Sequence, residues 1–403
     1  MELKDIKNKL NSVNWNFDFN INYSPESLFP FDCRKHYSYP ATFIPEIPYT
    51  LIEILSNKGD IVLDPFGGIG TTFIQSLLLE RFPFSCDINP VATNVCEKIY
   101  DLLNPSLKHA DIKQQLLELC VNYDENYDYR NNISELQKEL MGWYEIQTFN
   151  KLCYLIHCHN SVENVFVKGI LKYVISSILT TLSSQNKGWA YIADNVKPKM
   201  DEYKEKDVFD FYKSRVNVLF EDIMIHLKNT SPLYVGFYKK TLKEDRIFNT
   251  SVINTPITKV DLIITSPPYP RMIDYVKSQR MSLCFFNEAF NEYVSQEIGA
   301  RCRRSRKETL NEYEDSMKRI NCHLSKILKN NGFLCIILPE YAESDDRKRV
   351  IDQMVLSYEQ YGLKLVQDFQ RYIPSNRRTI SIQWASLINE KIYVFRKEKS
   401  DEH

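Results

Sequence analysis

The chain reads as an α/β protein built on a mostly parallel sheet, with a mostly α-helical insertion. Three observations predict this. Short apolar runs alternate with helical patterns toward both ends of the chain. A strand–turn–helix–strand unit opens near residue 60. Between 101 and 230 glycine nearly disappears and helical periodicity takes over. The regions that follow are 1–100, 101–230 and 231–403.

Residues 1–59 form a polar, aromatic lead-in that ends in the proline-punctuated stretch Tyr39-Pro-Ala-Thr-Phe-Ile-Pro-Glu-Ile-Pro48. Ile61-Val-Leu63 is short and apolar, as a buried strand should be. Gly67, Gly68 and Gly70 make a turn, Thr71 to Leu79 has a helical pattern, and Phe82 to Cys86 is a second strand ending at Asp87. In the middle region Leu136, Leu140 and Trp143 share a helical face, as do Tyr212, Val216, Leu219, Ile223 and Leu227. The most apolar stretch, Val165 to Leu182, is interrupted by Lys168 and Lys172 and predicts a buried helix rather than a membrane span. Asp261–Thr265, Gly332–Pro339, Leu363–Phe369 and Lys391–Phe395 are the later strands.

Composition narrows the partners. Apolar residues make up 43% of 403, ample for a core, and the net charge of -1 gives no global case for a polyanion, so any nucleic-acid face must be local. Ten scattered cysteines without a CxxC pair argue against a zinc ribbon or a disulfide framework and suit reduced thiols in the cytoplasm. Cys153, His157, Cys158 and His159 cluster, but their spacing fits no common zinc site, and no metal is expected. The N-terminus is charged and carries no secretory apolar core.

Chemistry concentrates at two turns. Asp64-Pro-Phe-Gly-Gly-Ile-Gly-Thr-Thr72 follows a strand, and its small residues let a ligand approach the backbone, with helix N–H groups beyond. An acid just before the turn suits a ligand with a cationic amino group and would repel a pyrophosphate. Asp87, at the end of the next strand, is placed to accept from ribose hydroxyls. A purely structural turn, and for Asp87 a helix N-cap before Asn89-Pro90, are the competing readings. The second turn, Ser266-Pro-Pro-Tyr269, also follows a buried strand. Its two prolines stiffen the backbone and remove two N–H donors.

The first turn resembles the S-adenosylmethionine-binding motif of the site-specific DNA amino-methyltransferases, and the second resembles the SPPY signature of the same family, in a form common among cytosine-N4 enzymes. Asp87-Ile-Asn-Pro90 resembles the acidic motif, and the Tyr39–Pro48 stretch resembles the Pro-Ala-x-Phe-Pro element that packs on the methionine end of the cofactor, with Phe43 as the matching aromatic. The resemblance implies a Rossmann-like, seven-stranded methyltransferase domain. It implies S-adenosylmethionine held by Tyr39, Phe43, Pro45, Asp64, Pro65, Phe66, Gly67, Gly68, Gly70, Thr71, Thr72, Asp87 and Ile88. Adenine recognition by an acid after a later strand best matches Asp245, with Glu244 as a competitor because the family's preceding glycine is missing.

The resemblance also implies catalysis by Ser266, Pro267, Pro268 and Tyr269. A base amino nitrogen is a poor nucleophile because its lone pair is conjugated with the ring. Ser266 Oγ and the Pro267 carbonyl would accept its hydrogens and favour a pyramidal nitrogen, while Tyr269 would stack on a base flipped out of the duplex. Ser at the first position tilts the target toward cytosine N4; adenine N6 and an RNA amino group are the alternatives, and a non-catalytic DNA-binding subunit is a third.

Two basic clusters are candidate phosphate contacts: Arg301, Arg303, Arg304, Arg306 and Lys307, and Arg371-Tyr-Ile-Pro-Ser-Asn-Arg-Arg378 with Arg377 and Arg378. The wide gap between the two turns matches the family group whose target-recognition region lies between them. That points to residues 101–230, and within them to Lys187–Tyr191 and Asn195–Lys199. Double-stranded DNA is the expected partner. A cognate restriction endonuclease and a monomeric or dimeric state are left open.

Overall fold

A computed structural model describes residues 2–17, 31–42, 44–185, 197–304, 308–373 and 389–398. Seven strands form one sheet: β1 (Ile61–Asp64), β2 (Phe82–Cys86), β3 (Ile247–Phe248), β4 (Val260–Thr265), β5 (Leu328–Pro339), β6 (Leu363–Tyr372) and β7 (Asn389–Lys397). Their order is β3-β2-β1-β4-β5-β7-β6. All pairings from β3 to β5 are parallel, and β7 is antiparallel to both neighbours.

This is the expected α/β architecture, and each strand read from the sequence is present. β3 has two residues, too short to carry a periodic signal, and it escaped the sequence reading. Chain order reverses between β1 and β4. In such sheets the loops leaving two adjacent strand ends diverge to opposite sides and open a crevice at their C-terminal ends. Both turns singled out above leave the sheet at this point.

Helices cover both faces. On one face the helices Leu3–Ser12 and Glu46–Leu55 bury Leu10, Ile47, Leu51 and Ile52 against Val62, Leu262 and Ile264. On the other, Thr309–Ile327 and Asp346–Gln360 bury Met317, Leu324, Val350 and Tyr358 against Leu63, Ile263 and Leu334. Burial of such side chains contributes about 1.5–3 kcal/mol each, which makes these two layers the frame of the sheet.

The helical region is realised as His109–Glu118, Ile146–Ser161, Val165–Leu182 and Val208–Lys228. Of the expected face, Tyr212, Val216, Leu219 and Ile223 are fully buried and Leu227 is half-buried. Leu136 to Trp143 forms two short turns, Glu135–Lys138 and Met141–Trp143, not one continuous helix. The region has no separate core. Its Leu152, Tyr173 and Phe220 share one apolar cluster with Phe73, Ile74 and Ile99 of the helices Thr71–Leu78 and Pro90–Leu102. Val165–Leu182 is long and apolar enough to cross a membrane by length and composition, and 56% of it is buried inside this cluster. Cys153 and Cys158 are buried in the helix Ile146–Ser161, and among the described residues no group of His, Cys, Asp or Glu is arranged to hold a metal ion.

Candidate active site

Asp64 ends β1 and is 1% exposed. One carboxylate oxygen accepts from the Phe66 N–H at 3.1 Å and from Thr265 Oγ1 at 2.7 Å, and the other accepts from Thr72 Oγ1 at 2.8 Å. Asp64 therefore binds the glycine turn, the helix behind it and the last residue of β4 into one unit. Burial pushes its carboxyl up to about 6, opposed by these hydrogen bonds. It stands behind the wall of the crevice rather than on its surface.

The turn follows from steric limits. A Cβ on Gly67 would lie 1.9 Å from Ser85 Oγ, and one on Gly70, which has φ of +90°, would lie 2.4 Å from Cys96 Sγ. Neither position tolerates a side chain without movement of its neighbour. The Gly68 N–H donates to Asp87 Oδ2 at 2.9 Å, and the Asn89 N–H donates to Asp87 Oδ1 at 2.8 Å. Asn89 in turn caps the helix Pro90–Leu102. Asp87 is therefore not the N-cap itself; it braces the glycine turn and the capping residue Asn89, and it also lines the crevice. Burial pushes Asp87 up to about 6.

One cleft joins the turns. Tyr39, Pro40, Ala41 and Thr42 form one side, and Pro65, Phe66, Gly67, Gly68, Ile69 and Thr71 form its floor. Asp87, Ile88 and Asn89 follow, with Ser266 and Pro268 opposite. Thr71 Oγ1 is buried with no hydrogen-bond partner among the described residues, so a polar ligand in the cleft has a group waiting for it.

Other expected residues lie elsewhere. Thr72 and Gly70 sit behind the floor, the first on Asp64 and the second against Cys96. Pro45 is buried as the N-cap of the helix Glu46–Leu55 and does not line the cleft. Asp245 is exposed and precedes β3, at the strand's N-terminal end, whereas the cleft lies at C-terminal ends. Thr250, Ser251 and Asn254, which follow β3, line the cleft instead. Phe43, Arg377, Arg378, Arg306, Lys307 and Lys187–Tyr191 lie outside the described residues.

Tyr269 is also placed differently from a stacking platform. Its ring is 4% exposed, and its hydroxyl donates to Glu390 Oε1 at 2.8 Å while accepting from Ser266 Oγ at 3.3 Å. The following segment is braced by the Arg271 N–H on the Gly299 carbonyl at 2.8 Å. In the first basic cluster Arg303 donates to the carbonyls of Val294 and Ser295, which commits it to the end of the helix Phe290–Gln296. Arg304 is exposed and Arg301 half-buried.

Glu297 was not foreseen. It is 3% exposed, lines the cleft, and accepts from the N–H groups of Tyr275 (2.7 Å) and Val276 (3.2 Å) at the start of a short helix. Burial pushes it up to about 7. No sequence pattern marks an acid in a loop far from either turn. With Asp87 it gives the cleft two carboxylates, and among the described residues no Lys, Arg or His lines it.

Residues 7–98 match the family model described as DNA methylase. The chain is 25% identical over 269 residues to the type II methyltransferase M.BsoBI of Geobacillus stearothermophilus, covering 61% of this chain and 51% of that protein. It is 22% identical over 284 residues to M.MvaI of Kocuria varians (66% and 58%) and 21% identical over 413 to M.MjaII of Methanocaldococcus jannaschii (83% and 75%). These matches make the chain similar to site-specific DNA methyltransferases, with the family-model match confined to residues 7–98. The chain's matched part spans only about half the length of the first two of these relatives. The family model covers the glycine turn and Asp87, so the side of the cleft they form is the family-matched side.

Proposed function

We propose that the protein transfers a methyl group from S-adenosylmethionine to the exocyclic amino group of a base flipped from double-stranded DNA, with cytosine N4 as the target. The observation that carries this reading is the sharing of one cleft by Ser266 and Pro268 with Gly68, Asp87 and Tyr39. The type II methyltransferases named above support the class of reaction.

The residues fit the cofactor. Gly67 and Gly68 line the cleft without side chains, Thr71 Oγ1 lacks a partner among the described residues, and two carboxylates without a cation suit a ligand bearing positive charge. When bound, the cofactor supplies an electrophilic methyl group. Asp87 would hold its ribose, and Thr250, Ser251 and Asn254 line the stretch where a base end would lie. Asp64 would act indirectly, by fixing the floor against β4. Ser266 Oγ would accept a hydrogen from the amino nitrogen, and Pro267 and Pro268 would hold that acceptor in position, so rate comes from positioning and from preorganised acceptors. Adenine N6 differs only in the base, and Ser in place of a carboxylate favours cytosine.

The helical region 101–230 is our candidate for sequence readout, with Arg301 and Arg304 as phosphate contacts and a restriction endonuclease as a companion. The test is methyl transfer from labelled cofactor to unmodified duplex DNA and to bulk transfer RNA, followed by sequencing with modification detection. Ser266→Ala should lower turnover by ~10²–10³-fold with cofactor affinity retained. Labelling of RNA alone would overturn the DNA reading, and absence of saturable cofactor binding would overturn the enzyme reading.

A further inference from the structure

Resting on that reading, we infer that Glu390 and Arg371 set the direction of the Ser266 hydroxyl through Tyr269, so that Ser266 meets its substrate only as a hydrogen-bond acceptor. The chain of contacts runs Ser266 Oγ to Tyr269 Oη at 3.3 Å, Tyr269 Oη to Glu390 Oε1 at 2.8 Å, and Arg371 Nη1 to Glu390 Oε2 at 2.6 Å.

The inference follows from counting hydrogens. A carboxylate paired with a guanidinium only accepts. The phenol has one hydrogen, and Glu390 takes it. Tyr269 Oη is then left with lone pairs alone, and its other neighbour, Ser266, must donate. The single Ser266 hydrogen is therefore directed away from the cleft and its lone pairs face the cleft that Ser266 lines. An exocyclic amino group offers two hydrogens and no usable lone pair. A freely rotating serine would often meet it donor to donor. The relay removes that orientation before substrate arrives, which is preorganisation of an acceptor.

Topology explains how residues so distant in sequence meet. Glu390 lies near the start of β7, opposite Pro339 at the C-terminal end of β5, and directly across from Arg371 on β6. Had β7 run parallel to β5, its first residues would lie at the far edge of the sheet. Its antiparallel insertion delivers them to the catalytic edge. Tyr269, Glu390 and Arg371 are 4%, 8% and 4% exposed, so the relay is shielded from competing water. Glu390 and Arg371 are thus positioning residues, and Tyr269 is the element they act through.

The test uses single-turnover methyl transfer to unmodified duplex DNA together with cofactor affinity, for the full chain carrying Tyr269→Phe, Glu390→Gln, Ser266→Ala and the double change Ser266→Ala/Tyr269→Phe. Tyr269→Phe and Glu390→Gln should each slow transfer by ~10–100-fold with cofactor affinity within about twofold of wild type. The double variant should be no slower than Ser266→Ala within about twofold, because Tyr269 acts through that hydroxyl. Tyr269→Phe keeps the test valid if Glu390→Gln, which strands Arg371, does not fold. A Tyr269→Phe rate equal to wild type, or a multiplicative loss in the double variant, overturns the relay while leaving the methyltransferase reading intact. A wild-type protein that binds the cofactor but transfers to no nucleic acid overturns both.

Discussion

Thr265 donates a 2.7 Å hydrogen bond to Asp64, and this contact joins the end of β4 to the start of the glycine turn. The two residues are neighbours across β1 and β4, where Leu63 pairs with Ile263. Asp64 is therefore a joint between the two halves of the site. Its other acceptances, from Phe66 and Thr72, hold the turn and the helix to the same point.

Asp64→Ala should consequently destabilise the whole domain by about 2–4 kcal/mol, since three donors lose a buried acceptor. Thr265→Val, which removes one donor and keeps the shape, should cost about 1 kcal/mol. Urea unfolding of both variants checks this. An Asp64→Ala protein of wild-type stability that merely binds cofactor poorly would show that Asp64 is a direct ligand instead.

The glycine turn makes a second prediction. Gly67→Ala places a methyl group 1.9 Å from Ser85 Oγ, with Ser85 Cβ at 3.1 Å. Overpacking of this kind costs about 1–3 kcal/mol. Ser85→Ala added to Gly67→Ala removes the closest atom and should recover a large part of the loss. Thermal melting of the single and double variants measures the recovery.

Cofactor affinity should depend on pH. The two carboxylates on the cleft wall are raised by burial, Glu297 to about 7 and Asp87 to about 6. Each must be ionised to favour a cationic ligand, so affinity should fall as pH drops through about 7 and then about 6. Folding stability should respond in the opposite sense. A carboxyl raised on folding contributes stability that is present below its unfolded pKa and is lost as pH rises through the folded value. Calorimetric titration across this range, with Glu297→Gln alongside, separates the two trends. A flat affinity profile would remove both acids from cofactor binding.

The last prediction concerns the base end of the cofactor. Asp245 is exposed at the wrong end of β3, so Asp245→Ala should leave cofactor affinity within about twofold of wild type. Asn254→Ala, on the cleft wall, should weaken it. Equilibrium binding to both variants decides between them, and the reverse outcome would reinstate Asp245.

Asp245 shows where local pattern runs out. β3 is two residues long, so nothing in the local pattern distinguished an acid before the strand from one after it. Glu297 and Glu390 were missed for a related reason. Each reaches the site through a loop or an antiparallel strand, and no motif spacing encodes such a meeting.

The residues alone determined what depends on neighbours along the chain. Strand periodicity gave the sheet, glycine and proline gave the two stiff turns, and their chemistry named the cofactor class and the amino-group target as expectations. Tertiary structure decided what depends on packing. It withdrew Asp64 behind the cleft and buried Tyr269 against Glu390, and it merged the helical region with the main core. Burial and hydrogen-bond partnership arise only when distant segments meet, and a side chain's role follows from which of its lone pairs and hydrogens those segments have already taken.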